Sequence, residues 1–503
     1  MPILSSIISL VNTRRLAQIE HFKQHPESVQ QNELRELLST ARNTAFGKEF
    51  DFKNIHNYST FAERVPVRDY EGVRPYVERL RKGERNLLWP GDIKWFAKSS
   101  GTTSTKSKFI PVSKETLEDC HFRGGKDVLA LYLQNNPDSD MFSGKCLTLG
   151  GSHQINNFSN ASYYGDLSAI LIENLPFWTH FARTPEQSIA LMDEWEAKLE
   201  KITATTIKDN VTSLAGVPSW FLVLIKHILK QSGKSNLLEI WPNLELFIHG
   251  GINFTPYRKQ YKELIPTDKM HYQETYNASE GFFGIQDDLS DPGMLLMLDY
   301  GVFYEFIPLS EITHPYPNAK TLENVELGVD YAMVISTNSG LWRYMIGDTV
   351  RFTSLRPHRI IITGRTKHYI NAFGEEVMIE NAERALEKAC ADTHAIIKEY
   401  TAAPIFMDED TKGAHQWLIE FDKAPASLTH FKEILDTTLQ QVNSDYEAKR
   451  YKNITLDAPE IVEARHHLFM DWLKSKDKLG GQNKIPRLAN NREYIDELLK
   501  MNH

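Results

Sequence analysis

Hydroxyls, one glycine and three lysines crowd into eleven residues at Lys98-Ser99-Ser100-Gly101-Thr102-Thr103-Ser104-Thr105-Lys106-Ser107-Lys108. The flanking segments Ile93-Lys94-Trp95-Phe96-Ala97 and Phe109-Ile110-Pro111 read as strands. A loop of this composition between two strands suits an oligophosphate. Backbone N–H groups and Ser/Thr hydroxyls donate to phosphate oxygens, Gly101 lets the main chain come close, and lysines offset the charge. A P-loop would need G-x-x-x-x-G-K-[ST] opening a helix. Lys106 stands where its second glycine belongs and no helix follows at once, which disfavours a P-loop phosphotransferase. The same composition also suits a solvated hairpin tip.

Three further segments carry chemistry-bearing residues. Tyr276-Asn277-Ala278-Ser279-Glu280-Gly281 follows a strand-like run at 270–273. Its ring can stack a base and Glu280 can hold Mg2+; the alternative is a core tyrosine beside a helix N-cap. In Arg343-Tyr344-Met345-Ile346-Gly347-Asp348, the acidic side chain can accept from two ribose hydroxyls, although Gly-Asp turns are common. Gly480-Gly481-Gln482-Asn483-Lys484-Ile485-Pro486-Arg487 offers Lys484 as a deliverable point charge, or as a solvated lysine of a flexible tail.

The elements that must position these residues form an α/β pattern. At 503 residues the chain exceeds what one core usually holds, so two or more domains are expected. Hydrophobic content of 41% with 24% charged residues belongs to an ordinary globular protein. A net charge of −9 with both signs interspersed leaves no footprint for nucleic acid. Cys120, Cys146 and Cys390 stand far apart, which suggests neither a disulfide nor a zinc site and fits a reducing cytosol. The apolar start at 1–11 has no basic n-region, and Leu4, Ile7, Ile8 and Val11 instead mark an amphipathic helix docked on the body. The apolar run 220–229 is too short for a bilayer and contains Lys226. A cytoplasmic protein without a membrane partner is expected.

Residues up to about 90 read as helices, 27–42 among them, with a capping signal at Ser59-Thr60. From Trp95 to about Val350, β-branched runs alternate with helical patterns. Residues 184–207 read as one charged helix with Thr184 as N-cap and Pro185 at its first position. Residues 218–231 read as an apolar helix stopped near Gly233. Segments 295–307, 331–335 and 359–364 read as strands. Beyond Gly364 a βαβ-like unit begins: 369–371 and 376–378 flank a turn, 379–389 and 428–443 are helices, and 417–421 is a strand. The expected division is a large N-terminal α/β domain, 1–363, and a smaller C-terminal α+β domain, 364–503. His466-His467 has no metal-ligand context and reads as surface.

The order of these segments resembles that of adenylate-forming ligases, and 364–376 looks like that superfamily's hinge and first C-terminal hairpin. More closely, the chain resembles the acyl-acid amido synthetases named after the plant auxin-responsive Gretchen Hagen genes, in the form found in bacteria. The carriers are Ser99-Ser100-Gly101-Thr102-Thr103, Tyr276 to Glu280, Leu341-Trp342-Arg343-Tyr344-Met345-Ile346-Gly347-Asp348 and Lys484-Ile485-Pro486-Arg487, with Val217-Pro218-Ser219-Trp220 and Trp241-Pro242-Asn243. Plant members tend to carry Tyr and Arg where this chain has Trp342 and Met345, and the plant positions that grip the acid's carboxylate have no match here.

The resemblance implies mixed sheets of the adenylate-forming ligase type, a mobile C-terminal domain, ATP and Mg2+. A small-molecule carboxylic acid would become an acyl-adenylate, and an amine, such as an amino acid, would take the acyl group. It assigns Ser99, Ser100, Gly101, Thr102 and Thr103 to the β,γ-phosphates, Tyr276 to the adenine, and Asn277 and Ser279 to the nucleotide. Glu280 is assigned to Mg2+, Asp348 to the ribose, Arg365 to the nucleotide, and Lys484 to the α-phosphate and acyl oxygens. Gly250 and Gly251, in the turn after Leu246-Phe247-Ile248, would back the adenylate. Val217 and Trp220, with Leu222 and Val223, are acyl-pocket candidates or plain helix core. An acyl-CoA ligase and a non-catalytic nucleotide or acyl binder are the rivals; a monomer or weak homo-oligomer is expected.

Overall fold

The computed structural model describes residues 2–99, 108–149, 156–159, 162–192, 194–251, 254, 257–312, 314, 317–366, 369–370, 375, 377–405, 413–443, 446–447, 450, 456–476, 485–489 and 491–502. The N-terminal part is helical as expected, with helices Pro2–Gln24, Pro26–Ala41, Ala45–Glu49, Tyr58–Arg64 and Tyr70–Arg81. Leu4, Ile7, Ile8 and Val11 lie on the first of these, with side chains outside the described residues. Further along it Ile19 and Phe22 are buried, and Arg15 pairs with Asp127 at 2.8 Å and Asp299 at 2.5 Å. The capping signal at Ser59-Thr60 needs correction. Asn57, in extended backbone just ahead of the helix, accepts from Thr60 N at 2.9 Å.

Among the described residues twenty strands form four sheets. Strands β1 (Trp95–Ser99), β2 (Lys108–Val112), β4 (Asn156–Ser159) and β5 (Ser162–Gly165) make one, in the order β2-β1-β5-β4. The large sheet adds β3 (Lys145–Thr148), β6 (Arg183–Thr184), β7 (Val211–Gly216), β8 (Leu246–Gly250), β9 (His271–Ala278) and β10 (Gly281–Ile285). It is completed by β11 (Met294–Leu296), β12 (Val302–Pro308), β13 (Asp330–Thr337), β14 (Tyr344–Leu355) and β15 (His358–Arg365). The order is β12-β13-β14-β15-β11-β10-β9-β8-β7-β3-β6. Pairings among β6, β3, β7, β8 and β9 are parallel; from β9 to β12 they are antiparallel.

The single helix expected over 184–207 is also corrected. Thr184 joins β6 beside Leu147, and its hydroxyl donates to Asp209 at 2.5 Å instead of capping a helix. The helical pattern breaks into Gln187–Ala190 and Trp195–Thr206, the second capped by the Glu194 carboxylate. The apolar helix Pro218–Ser232 holds, ending at Gly233 in the left-handed region.

The core of the N-terminal part lies between its helices and the antiparallel half of the large sheet. A second core lies between the helix Pro218–Ser232 and strands β7 and β8. The C-terminal part builds its own cores, from residues at 370 and beyond. There β16 (Tyr369–Ile370) pairs with β17 (Val377–Met378), and helices Ile379–Thr393 and Leu428–Val442 pack on β18 (Ile396–Ile405), β19 (Ala414–Lys423) and β20 (Glu460–Ala464). Strands β19 and β20 are parallel, so the helix between them completes a βαβ crossover. His466 and His467 are exposed. Among the described residues, no helix is long and apolar enough to cross a membrane.

Candidate active site

The hydroxyl-rich loop is held at its base. Ser99 on β1 is the register partner of Lys108 on β2, so whatever lies between starts and ends at one place. Ser100, Gly101, Thr102 and Thr103 lie outside the described residues, as does the side chain of Ser99. Lys108 reaches the neighbourhood of Glu280, whose carboxyl is raised by burial and held down partly by that ammonium.

Glu280 sits in a two-residue turn. Ala278 and Gly281 are register partners across the β9/β10 hairpin, leaving Ser279 and Glu280 as its tip. Both are buried. The helix N-cap alternative for this segment is thereby excluded. The Glu280 carboxylate has no side-chain hydrogen bond among the described residues, and no cluster of three His, Cys, Asp or Glu suited to a metal occurs among them. One buried carboxylate that leaves the remaining ligands to phosphate and water is how Mg2+ is commonly held.

Asp348 lies opposite this turn. Its Oδ2 accepts from the Tyr276 hydroxyl at 2.6 Å and its Oδ1 accepts from Arg365 Nε at 2.8 Å. Asp348 and Arg365 are register partners, and Thr366 N donates to Gly347 O at 2.7 Å to close that end of β14 and β15. Among the described residues two of the roughly four acceptor positions of the carboxylate are used, which leaves two for hydroxyls. Asp348, then Glu280, hold the Arg365 guanidinium above its ordinary range. That side chain is 44% exposed, on the open side of the cluster. Tyr276 is buried, its ring edge-on to Phe283 at 5.0 Å. Burial and Asp348 keep its hydroxyl protonated and donating.

Two glycines pass behind this cluster. A Cβ on Gly250 would stand 2.3 Å from the Thr275 carbonyl oxygen of the adjacent strand, and Gly251 has φ +81°. Only glycine allows both the close approach and the left-handed backbone.

Sequence reasoning missed His121. One turn of π-helix, Thr116–Phe122, runs into the helix Arg123–Asn135 and brings His121 Nδ1 to 3.0 Å from Asn277 Oδ1. Burial lowers this imidazole to about 4, leaving it neutral, and its Nε2 has no protein partner among the described residues. A lone histidine inside a helical run carries no signal in sequence.

The eight-residue motif 341–348 divides by role. Trp342 is buried and donates to Leu88 O at 3.1 Å. Arg343, at φ +45°, makes a buried two-pronged pair with Glu305, its Nε at 2.9 Å and Nη2 at 2.7 Å, and donates to Ala62 O and Val65 O. Met345 packs against the Ile307, Ala332 and Val334 cluster. Both departures from the plant pattern thus fall in packing, away from Asp348. Val217 stands at the N-cap position of the helix Pro218–Ser232; the side chain of Trp220 lies outside the described residues, while Leu222 and Val223 pack into the core beneath.

Lys484 lies outside the described residues, but Arg487 of the same motif does not. Its guanidinium meets Glu383 at 3.0 Å, Glu399 at 3.5 Å and the Tyr400 ring at 5.0 Å, and donates to the Tyr257 hydroxyl at 2.9 Å. The last contact joins the C-terminal part to the N-terminal part. Lys226–Asp422 and Glu196–Lys474, both at 2.5 Å, do the same.

This arrangement of strands and loops has known counterparts. It is similar to the solved GH3.15 acyl acid amido synthetase, with a TM-score of 0.80, 18% identity, and coverage of 97% of this chain and 95% of that one. A 2-hydroxyisobutyryl-CoA ligase shares the fold at a TM-score of 0.60 and 11% identity, over 94% and 91% of the two chains. In sequence the chain is 23% identical to indole-3-acetic acid-amido synthetase GH3.4 of Arabidopsis thaliana, over 96% of this chain and 92% of that protein. It is also 23% identical to the 4-substituted benzoates-glutamate ligase GH3.12 of the same plant, over 96% of each. The GH3 family N-terminal domain matches residues 15–270, the central domain 295–365 and the C-terminal domain 380–493. With all three parts present in order, the chain belongs to the GH3 family.

Proposed function

We propose that this GH3 chain is an ATP-dependent acyl acid amido synthetase. It activates a carboxylic acid as its adenylate and passes the acyl group to an amine. The observation that carries this reading is the joining of Asp348, Tyr276 and Arg365 across the large sheet, with Glu280 and the base of the hydroxyl-rich loop alongside. Such a cluster presents acceptors to a ribose, a cation to phosphate and a buried carboxylate to a metal.

Asp348 takes the ribose hydroxyls through its spare acceptor positions. Tyr276 lies against the adenine, and Asn277 and Ser279 border the nucleotide. Gly250 and Gly251 let the backbone pass behind the adenylate. Ser99 to Thr103 donate to the β,γ-phosphates, and Arg365 and Lys484 carry positive charge to the phosphates and the acyl oxygens. Glu280 would hold Mg2+, which supplies charge neutralisation at the phosphates when bound. Val217 and Trp220 border the acyl group. The acid's carboxylate attacks the α-phosphorus and pyrophosphate leaves. The developing charge is met by fixed donors, which is worth more here than an acid–base pair.

The domain boundary belongs at 364–365, where β15 ends beside Asp348, and the C-terminal part turns there between the two half-reactions. The departures at Trp342 and Met345 support the form found in bacteria, acting in the cytoplasm as a monomer or weak homo-oligomer. ATP–pyrophosphate exchange across a panel of carboxylic acids tests the adenylation. Mass spectrometry of products with amino acids and with coenzyme A then identifies the acceptor. Exchange with no acid in the panel would overturn the reading, and thioester without amide would reassign the chain to acyl-CoA ligases.

A further inference from the structure

Two opposite charges beside the Gly250 turn have no ion-pair partner among the described residues. Glu274 on β9 is the register partner of His249 on β8, one residue before Gly250. It shares a strand face with Tyr272 and Tyr276, each about 7 Å away along the strand. Arg258 opens the helix Arg258–Leu264 and lies over the rings of Phe254 at 5.1 Å and Tyr272 at 5.9 Å. Glu274 and Arg258 act on each other electrostatically without touching, and neither has an ion-pair partner among the described residues.

The wall between them is also unsatisfied. His249 is 2% exposed, and neither ring nitrogen has a partner among the described residues. The Tyr272 hydroxyl is buried and likewise has no partner among the described residues. Buried polar groups are nearly always partnered, so orphans grouped at one place ask for a ligand. A guanidinium and a carboxylate that influence each other without forming an ion pair suit a molecule bearing both charges.

We propose that Arg258 and Glu274 form the acceptor site for a free α-amino acid, Arg258 holding its carboxylate and Glu274 taking a proton from its ammonium group. This rests on the adenylation reading above. A guanidinium matches a carboxylate through two parallel N–H donors. The neutral amine then attacks the acyl carbon and forms the C–N bond. Collapse breaks the bond from that carbon to the phosphate oxygen, AMP leaves with the electron pair, and the second nitrogen proton passes to water.

The groups facing Glu274 are Arg258 from its helix, Glu383 from the C-terminal part, His249 from β8 and Tyr272 on its own strand. Burial pushes the Glu274 carboxyl up to about 7, with Arg258 opposing and Glu383 adding. A base near neutrality is the most effective one at neutral pH. Burial and Arg258 push His249 down to about 3 and burial lifts Tyr272 to about 12, so both are neutral hydrogen-bonding groups.

The test is single-turnover transfer from preformed acyl-adenylate to an amino acid, to its carboxamide and to coenzyme A. Wild type should favour the amino acid over its carboxamide, with a rate that rises through about pH 7. Arg258→Gln should raise the amino acid's KM roughly tenfold or more and remove that preference. Glu274→Gln should slow transfer about a hundredfold and lose the pH limb, with partial return in Glu274→Asp. Acid-dependent pyrophosphate exchange, which needs no acceptor, should persist in each variant and report an intact fold. Retained preference in Arg258→Gln, or an unaltered pH profile in Glu274→Gln, would overturn the site while leaving adenylation standing. Wild type without acid-dependent exchange would overturn both.

Discussion

The Tyr276 hydroxyl meets Asp348 at 2.6 Å although their strands stand four places apart in the large sheet. In a flat sheet that separation is about 19 Å. The sheet curls to close it: β15 leaves β11 after Ile360 and carries on to Arg365, so the far ends of β14 and β15 can turn over β9. Asp348→Asn keeps one acceptor but loses the charge that Arg365 and two hydroxyls require. ATP binding should weaken by roughly 1–3 kcal/mol, chiefly in KM. Tyr276→Phe should cost less, because only one donor is lost. An unchanged KM in both would leave this contact a structural tie.

Acid-dependent pyrophosphate exchange should depend on the hydroxyl-rich loop. Ser100→Ala with Thr103→Ala removes two donors to charged oxygens, each worth about 1.5–3 kcal/mol. Exchange should fall by orders of magnitude while circular dichroism stays that of wild type. Normal exchange in the double variant would take the loop out of the mechanism.

Arg487 and Lys484 should separate structure from chemistry within one motif. Arg487→Ala removes the cation that meets buried Glu383 and half-buried Glu399, and breaking a buried pair costs about 3–5 kcal/mol. Urea unfolding should show the C-terminal transition moving to lower denaturant. Lys484→Ala should leave that transition in place and depress acyl-adenylate formation, with far less effect on amide formation from supplied adenylate. A variant at 484 that adenylates normally would return this lysine to the role of a solvated side chain.

Glu33 should make the N-terminal helices less secure at high pH. Burial, then Asp299 and Glu36, push its carboxyl up to about 8. The folded chain therefore holds a proton that the unfolded chain has already released, and stability declines from the ordinary carboxylate range up to about pH 8. Glu33→Gln should flatten that decline, read as apparent melting temperature at about pH 5, 7 and 9. Parallel declines in wild type and variant would show that the carboxylate titrates normally.

Much of the candidate site was legible because its residue types are demanding. Gly250-Gly251, Tyr276 to Glu280 and Gly347-Asp348 are short local patterns, and the strands and turns that carry them follow from β-branched runs and glycines nearby. Local signals fail where long-range contacts compete. Thr184 reads as a helix cap until β3 offers it a strand partner, and Ser59-Thr60 reads as a cap until Asn57 takes that place one turn earlier. The motif 341–348 reads as one unit, yet Arg343, at φ +45° just ahead of β14, goes to the buried Glu305 while Asp348, within that strand, goes to Tyr276.

The sequence by itself determined the α/β class, the separate C-terminal unit and the family, since these rest on periodicity and on motifs contiguous in the chain. Only the tertiary structure decided which motifs meet and which charges stay unpaired. Tyr276 to Asp348 spans 72 residues and Tyr257 to Arg487 spans 230. His121 and Glu274 carry no local mark at all. Their neutral or near-neutral state comes from burial, and burial is a property of packing between distant elements, which no window along the chain contains.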